Sequence, residues 1–258
     1  MTLWPLLALA FFAYVAIVLA WQGPRGRPVL RVAAGAAIGS SIVGAWGLSG
    51  EPSFLTDWIW PPLVLLTAYW TSGLLFVAPV PWQERALGWL DDRLDLFDVA
   101  RRTPRGLAEL FEAAYTGVYV LVPIALAVQG HYAPDATASR FWDVILITDF
   151  ICFGMLPWVQ TRPPRALEGS DPWTSSIRRW NLRLLGTASI RVNTFPSGHA
   201  AEALASFLLV VDAPLPVTVP MFLAAVAVSA GAVLGRYHYL ADAIAGWVVA
   251  LAVVMMLR

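Results

Sequence analysis

Lysine is absent from this 258-residue chain, cysteine occurs once, and charge of either sign is scarce. All 17 basic residues are arginine, and 17 acidic residues balance them, so the formal net charge is zero at neutral pH. A neutral chain lacks the positive field that attracts nucleic acid, and we expect no nucleic-acid partner. The single cysteine, Cys152, excludes a disulfide within the chain and disfavours a metal–thiolate site.

Long apolar runs take the place of the missing charge. Hydrophobic residues make up 59% of the chain, and the mean hydropathy is +0.66. Such runs are typical of a polytopic membrane protein, so we predict an all-α bundle of membrane helices. Segment 3–21 is as long as a span and lacks a basic start, so we expect a retained helix rather than a signal peptide. About eight apolar segments are predicted, at residues 3–21, 30–49, 59–81, 112–129, 141–160, 199–212, 215–235 and 238–257.

Two stretches between these segments mix apolar and charged residues. Residues 82–111 combine tryptophan and leucine with aspartate, and residues 165–195 combine tryptophan and leucine with arginine. This spacing predicts amphipathic helices that lie in the membrane interface. The alternative is that both stretches are solvated loops.

The arginines are distributed unevenly along the predicted topology. All except Arg140 and Arg258 lie in the segments 22–31, 82–111, 161–198 and 236–238, which fall on one side of the membrane. The positive-inside rule places that side in the cytoplasm and both termini outside. We expect a multi-pass protein of a bacterial-type plasma membrane.

The segment Asn193-Thr194-Phe195-Pro196-Ser197-Gly198-His199 opens one apolar run. Ser197 is a favourable helix N-cap, and Gly198 lets backbone approach a ligand closely. The following helix N-terminus would attract phosphate, and His199 beside it would exchange a proton near neutral pH. Alone, the same residues would also suit an ordinary helix cap.

A second motif, Arg236-Tyr237-His238-Tyr239-Leu240-Ala241-Asp242, opens the last apolar run. In a helix, His238 and Asp242 at i and i+4 share one face. A carboxylate bonded to one ring nitrogen fixes the tautomer and leaves the other nitrogen available as a nucleophile.

Arginine flanks a pair of prolines in the third motif, Thr161-Arg162-Pro163-Pro164-Arg165. Arg162 and Arg165 are suited to bind phosphate oxygens through bidentate hydrogen bonds. Without the other two motifs, this stretch would be a routine cytoplasmic loop.

The three motifs, in this order, resemble the type 2 phosphatidic acid phosphatase superfamily. The resemblance covers about residues 112–258 and implies a phosphatase-like transmembrane core there, with residues 1–111 adding N-terminal spans and an interfacial helix. It implies that His238 is the nucleophile and forms a phosphohistidine, that Asp242 orients it, and that His199 protonates the leaving lipid alkoxide. The resemblance implies no metal or other cofactor.

By the same resemblance, Ser197, Gly198 and Arg162 would hold the phosphate. Two positions depart from the family pattern. Met155 stands where a lysine is usual, and Ala232 stands where an arginine is usual.

Other arginines are candidates to supply the missing charge, namely Arg236, Arg191 and Arg165. The Arg-Pro-Pro-Arg and Tyr-His-Tyr contexts are also similar to the inositol-phosphorylceramide-synthase-like branch. Members of the superfamily usually work on the extracytoplasmic face, whereas the arginine distribution favours the cytoplasmic face.

Four hypotheses follow for the function. The first is a metal-independent phosphatase that hydrolyses a lipid phosphomonoester or diphosphate through a phosphohistidine, with a lipid phosphate and membrane lipids as its partners. The second is a headgroup phosphotransferase that uses the same residues. A non-catalytic lipid-phosphate transporter and a zinc site formed by His199, His238 and Asp242 are further alternatives, although surrounding arginines would repel a cation.

Two acidic residues lie near the proposed site in the sequence. Glu202 follows His199 by one helical turn, where it would orient the histidine, contact a substrate hydroxyl or pair with an arginine. Asp149 falls within an apolar segment, where we expect an arginine or hydroxyl partner.

Overall fold

The computed structural model describes residues 3–22, 35, 39, 53–133, 137–169 and 171–257. The described residues form helices and turns and no strand, which confirms the predicted all-α class. The predicted apolar segment 30–49 lies outside the described residues except at two isolated positions. The predicted count of about eight segments is therefore not confirmed.

The main helices are numbered here in chain order. A π-helical turn, Leu55–Ile59, precedes α2, and short 3-10 turns occur at Gly73–Leu75 and Pro164–Ala166. The α-helices are α1 (Trp4–Gln22), α2 (Trp60–Ser72), α3 (Pro81–Arg93), α4 (Leu96–Arg102), α5 (Arg105–Tyr132), α6 (Ala138–Gly154), α7 (Ser176–Ala188), α8 (Gly198–Leu208), α9 (Leu215–Leu234) and α10 (Leu240–Leu257).

Four of the described helices are long and apolar enough to cross a membrane, namely α1, α5, α9 and α10. Two of the other predicted spans form shorter helices than expected. α2 ends before an extended stretch that contains Pro79, and α6 ends at Gly154 shortly before Pro157. Proline lacks the N–H that continues a helix and disfavours the helical conformation in the residue before it, which accounts for the end of α6 three residues before Pro157. α2 continues into the 3-10 turn Gly73–Leu75 before the extended stretch.

Both amphipathic stretches contain helices rather than only loops. The first forms α3 and α4, separated at Asp95, whose φ of 47° breaks the helix. The second forms α7, whose N-cap Ser175 accepts a hydrogen bond from the Arg178 backbone N–H at 3.0 Å. Their location in the membrane interface stays a prediction.

The eleven-residue helix α8 lies at the centre of the bundle and packs against α5, α6, α9 and α10. Its alanines are buried, and small side chains let the neighbouring helices approach closely. At Gly246 of α10, a Cβ would lie 2.6 Å from the Ser197 carbonyl oxygen, so only glycine fits this crossing. This packing holds the N-terminus of α8 beside the start of α10, where the two histidine motifs meet.

Candidate active site

A cavity of about 380 Å³ lies beside the N-terminus of α8. Residues of all three sequence motifs line it, including Arg165, Thr194, Gly198, His199 and His238. Its remaining wall comes from α2, α5, α6 and α7. The fold thus brings into one cavity motif residues that are up to 73 positions apart in the sequence, from Arg165 to His238.

The two histidine rings face the same cavity, with 6.1 Å between their centroids. The His199 ring stacks on Tyr115 at 4.7 Å, and Tyr119 contacts it edge-on at 5.6 Å. Tyr115 in turn stacks on Tyr237 at 4.1 Å. These contacts hold the His199 ring by its face and edge, while its buried Nε2 has no hydrogen-bond partner among the described residues.

His238 lies in the short connection between α9 and α10, next to the carboxylate of Asp242. Its Nδ1 is 3.4 Å from Asp242 Oδ2, and the same oxygen accepts a hydrogen bond from the Tyr239 N–H at 2.8 Å. Burial and the charge of Arg165 lower the pKa of His238 to about 3. A lowered pKa favours the neutral imidazole, and a neutral ring carries the lone pair that a nucleophile needs.

The N-terminus of α8 is positioned by Ser197 and Gly198. Ser197 Oγ accepts from the Ala200 N–H at 3.4 Å, and the Ser197 N–H donates to the Asp242 carbonyl at 2.9 Å. Ser197 is fully buried and does not line the cavity, whereas Gly198 does. A Cβ at position 198 would lie 3.0 Å from Asp149 Oδ1, so glycine permits this close approach.

Arg165 is the arginine that lines the cavity among the described residues. Its guanidinium lies over the Tyr237 ring at 5.2 Å and donates to the Tyr237 carbonyl at 3.5 Å. No described acidic residue forms an ion pair with it. A partly buried arginine without an anionic partner leaves most of its N–H donors available to an anion.

The other three arginines predicted to hold phosphate do not line the cavity. Arg162 forms a bidentate pair with Glu84, at 2.8 and 2.9 Å, and this pairing lowers the pKa of Glu84. Arg191 is exposed and donates to the Gly186 carbonyl. Arg236 is buried, has a φ of 61°, and forms ion pairs of 2.7 Å with two carboxylates, those of Asp91 and Glu168.

A buried polar network beside the site was not predicted from the sequence. The Glu112 carboxylate accepts hydrogen bonds from Trp173 Nε1 at 2.9 Å, Arg178 Nη1 at 2.8 Å, Asn181 Nδ2 at 2.7 Å and the Tyr237 hydroxyl at 2.6 Å. We call these five residues the Glu112 network. It joins α5 and α7 to the tyrosine that precedes His238. The sequence contained one sign of this network, because Glu112 is an ionisable residue at the start of an apolar run.

Asp149 and Glu202 also line the cavity. Neither carboxylate forms a hydrogen bond or ion pair with the described residues, and Asp149 Oδ2 is buried without a partner. The arginine or hydroxyl partner expected for Asp149 is therefore not found among these residues. Glu202 lies three positions after His199 on α8, so the two side chains are neighbours on one helix face.

A comparison with protein families decides the relationship. The model of the PAP2 superfamily matches residues 84–256, which is most of the chain and includes all three motifs. The chain belongs to the PAP2 superfamily. No curated protein and no solved structure matches it.

Membership of the PAP2 superfamily and the four long apolar helices together show that the chain is an integral membrane protein. The members of this superfamily are generally phosphatases and phosphotransferases. No group of three or more histidine, cysteine, aspartate or glutamate side chains suited to a metal ion occurs in the part of the chain that the structure describes. The relationship to the inositol-phosphorylceramide-synthase-like branch stays a prediction.

Proposed function

We propose that this PAP2 protein is a lipid phosphatase that hydrolyses a phosphomonoester or diphosphate through a phosphohistidine on His238. The supporting observation is that His238, His199 and Arg165 line one cavity, with His238 Nδ1 beside Asp242. This arrangement provides a nucleophile, a proton donor and a cation around a volume large enough for a phosphate group.

Arg165 and the N-terminus of α8 would bind the phosphate. Arg165 has free N–H donors in the cavity, and the backbone N–H groups that begin α8 carry the positive end of the helix dipole. We assign the phosphate contact to Arg165 rather than to Arg162, because the Arg162 guanidinium is occupied by Glu84.

The reaction would proceed in two steps. Burial lowers the pKa of His199 to about 3, and the bound phosphate anion beside the ring would favour its protonated form. His238 Nε2 attacks phosphorus, the bond from phosphorus to the lipid oxygen breaks, and protonated His199 delivers its proton to that oxygen. The alcohol leaves, and a phosphohistidine remains on His238. Neutral His199 then takes a proton from water, whose oxygen attacks phosphorus, breaks the N–P bond and releases inorganic phosphate.

The wall of the cavity away from the histidines is suited to a hydrocarbon tail. It is formed by aliphatic and aromatic side chains of α2 and α7, including Leu65, Leu66, Trp70, Leu184 and Leu185. An apolar wall that continues directly from a phosphate site would bind both parts of a lipid phosphate.

We also propose that the site faces the cytoplasm of a bacterial-type plasma membrane. The supporting observation is the distribution of arginine. In the predicted topology, the side of the membrane that carries the three motifs also carries Arg162, Arg165 and the arginines of α3, α4 and α7, and an excess of arginine favours the cytoplasmic side.

The first experiment is an assay of inorganic phosphate release by the detergent-purified protein in the presence of EDTA. The substrates are phosphatidate, phosphatidylglycerol phosphate and a polyprenyl diphosphate. We expect release from at least one, and loss of that release in His238→Ala. Release that requires an added divalent metal would contradict a metal-independent reaction.

A matched control is His131→Ala. His131 is exposed near the far end of α5, about 18 Å along the helix axis from Tyr119, and it does not line the cavity. Phosphate release should survive this substitution. If no substrate yields phosphate, labelled phospholipid supplied with acceptor alcohols tests the phosphotransferase alternative, and a labelled ester product would replace the hydrolase assignment.

A further inference from the structure

The turn that carries the proposed nucleophile is held by a side chain of α3, a helix that does not line the cavity. Asp91 lies near the end of α3 and is 3% exposed. Its Oδ2 accepts a hydrogen bond from Arg236 Nη1 at 2.7 Å, and its Oδ1 accepts from the Leu240 backbone N–H at 2.9 Å. Arg236 stands two positions before His238 and Leu240 two positions after it. One carboxylate therefore bonds to both sides of the nucleophile.

The backbone at Arg236 depends on contacts of this kind. Its φ of 61° lies in the left-handed region, which is unfavourable for a residue with a Cβ, and such a conformation persists only where the surroundings hold it. The Arg236 side chain is held at 2.7 Å by Asp91 and by Glu168. The Arg236 carbonyl oxygen accepts from the Arg165 N–H at 3.0 Å. The direction in which the chain leaves this residue determines where His238 lies.

The contact with Leu240 fixes the other end of the turn. Leu240 is the first residue of α10, and the first N–H groups of a helix have no partner within the helix. Asp91 supplies that partner, so α3 also determines where α10 begins. The first turn of α10 carries Asp242, which lies beside His238 Nδ1. The same contact thus relates the imidazole to the carboxylate proposed to orient it.

We propose that Asp91 is a positioning residue, which holds His238 in line with phosphorus by acting through Arg236 and Leu240. This inference rests on the proposed function, because it assumes that His238 is the nucleophile. Asp91 takes no part in making or breaking a bond, since α3 does not line the cavity. A displacement of reacting groups by about 1 Å lowers a rate by roughly 100-fold, so the effect of losing Asp91 should fall on the chemical step.

Asp91→Asn tests the proposal, because the amide keeps the size of the side chain and removes the charge that pairs with Arg236. For the purified full-length protein, we expect kcat for phosphate release to fall by about 10–100-fold. KM should change little, since Arg165 and the N-terminus of α8 would still bind the phosphate. A normal kcat, or a loss that lies entirely in KM, would overturn the proposal.

Glu84→Gln is the matched control. Glu84 lies on the same helix, is 6% exposed, and pairs with Arg162, which does not line the cavity. Each substitution weakens one carboxylate–arginine pair between α3 and a later loop, but of the two carboxylates only Asp91 bonds to residues that flank His238. Glu84→Gln should therefore keep its kcat. An equal loss of kcat in both variants would show that α3 only stabilises the fold, which would overturn the proposal.

A double variant separates positioning from a general loss of stability. Arg236→Gln breaks the bond to Asp91 from its other end, and Asp91→Asn/Arg236→Gln lacks both charges of the pair. If Asp91 acts through Arg236, the double variant should lose no more kcat than the less active single variant, because all three lack the same bond. Losses that multiply would show that the two residues act independently, which the proposal excludes.

Hydrogen–deuterium exchange of the peptide that spans residues 235–242 tests the turn without turnover. Asp91→Ala removes both acceptors, and we expect exchange of this peptide to become about tenfold faster, whereas Glu84→Ala should leave it unchanged. Unchanged exchange in Asp91→Ala would overturn the proposal. If no substrate yields phosphate from the wild-type protein, the proposed function fails, and exchange still decides whether Asp91 holds the turn.

Discussion

Two buried acidic clusters flank the aromatic stack of Tyr237, Tyr115 and His199, and they differ in how their oxygens are satisfied. On one side, the Glu112 carboxylate accepts four side-chain hydrogen bonds, among them one from fully buried Arg178. On the other side, Asp149 and Glu202 accept none from the described residues. Both clusters are buried to a similar extent, so burial alone does not distinguish them.

The number of hydrogen bonds that each carboxylate accepts from the protein distinguishes a structural carboxylate from one that is available to a ligand. A carboxylate whose partners are all supplied by the protein, as Glu112 is, holds helices together and leaves nothing for a ligand. A buried carboxylate in a cavity without such partners is a candidate to bind something from outside. The arginines divide in the same way, because Arg178 and Arg236 are ion-paired, whereas Arg165 forms no ion pair with any acidic residue that the structure describes.

The largest expected effect concerns His238, the proposed nucleophile. His238→Ala should lower the rate of phosphate release by roughly 10⁴-fold or more, because no other group in the cavity would form the covalent intermediate. Steady-state release and circular dichroism of the purified variant measure activity and fold together. A folded variant with normal turnover would show that the cavity is not the catalytic centre.

The next prediction sharpens the contrast between arginines. Arg165→Ala should lower kcat/KM by roughly 10–100-fold, mainly through a higher KM, because a charge-assisted bond to phosphate is lost. Arg162→Ala should change KM much less, since its guanidinium is bound to Glu84. Michaelis–Menten analysis of both variants is the measurement. A larger rise in KM for Arg162→Ala would reverse the assignment.

The third prediction compares the acidic clusters through stability. Glu112→Gln weakens a buried ion pair, at a cost of about 3 kcal/mol, so Tm should fall by roughly 10 °C. Glu202→Gln removes a carboxyl group that has no described partner, and Tm should remain the same or rise. Thermal unfolding in one detergent measures both. A fall in Tm as large for Glu202→Gln would show that the protein itself satisfies this carboxylate.

The smallest effect is expected at the cap of α8. Ser197→Ala removes an acceptor for the Ala200 N–H and should cost about 1 kcal/mol, or a few degrees in Tm. Ser175→Ala, which removes the corresponding cap of α7, is the matched variant. If the α8 cap also positions the active site, Ser197→Ala should lower phosphate release and Ser175→Ala should not. Equal activity of the two variants would argue against a role of the α8 cap in the site.

Much of the helical content followed from local pattern. The apolar runs at 3–21, 215–235 and 238–257 correspond closely to α1, α9 and α10, because a continuous apolar stretch has few alternatives to a buried helix. The ends of α2 and α6 were predicted less well. Hydropathy continues past both ends, and for α6 the nearby Pro157 disfavours further helix.

The family was also evident from the sequence, since its motifs are short and contiguous. The role of each arginine was not. The Arg-Pro-Pro-Arg segment contains two equivalent candidates, and which one reaches the cavity depends on Glu84, 78 positions before Arg162. Such a partner cannot be recognised before the helices are packed.

By itself, the sequence determined that this chain is a helical membrane protein of the PAP2 superfamily, with two histidines and an aspartate in the expected motifs. Local composition and short spacings carry that information, because they act within one helix or one turn. Tertiary structure alone decided that Glu112 is fully bonded, that Arg165 lines the cavity, and that Asp149 and Glu202 line the same cavity without a partner among the described residues. The physical reason is that satisfaction of a buried charge depends on groups that packing brings from distant parts of the chain.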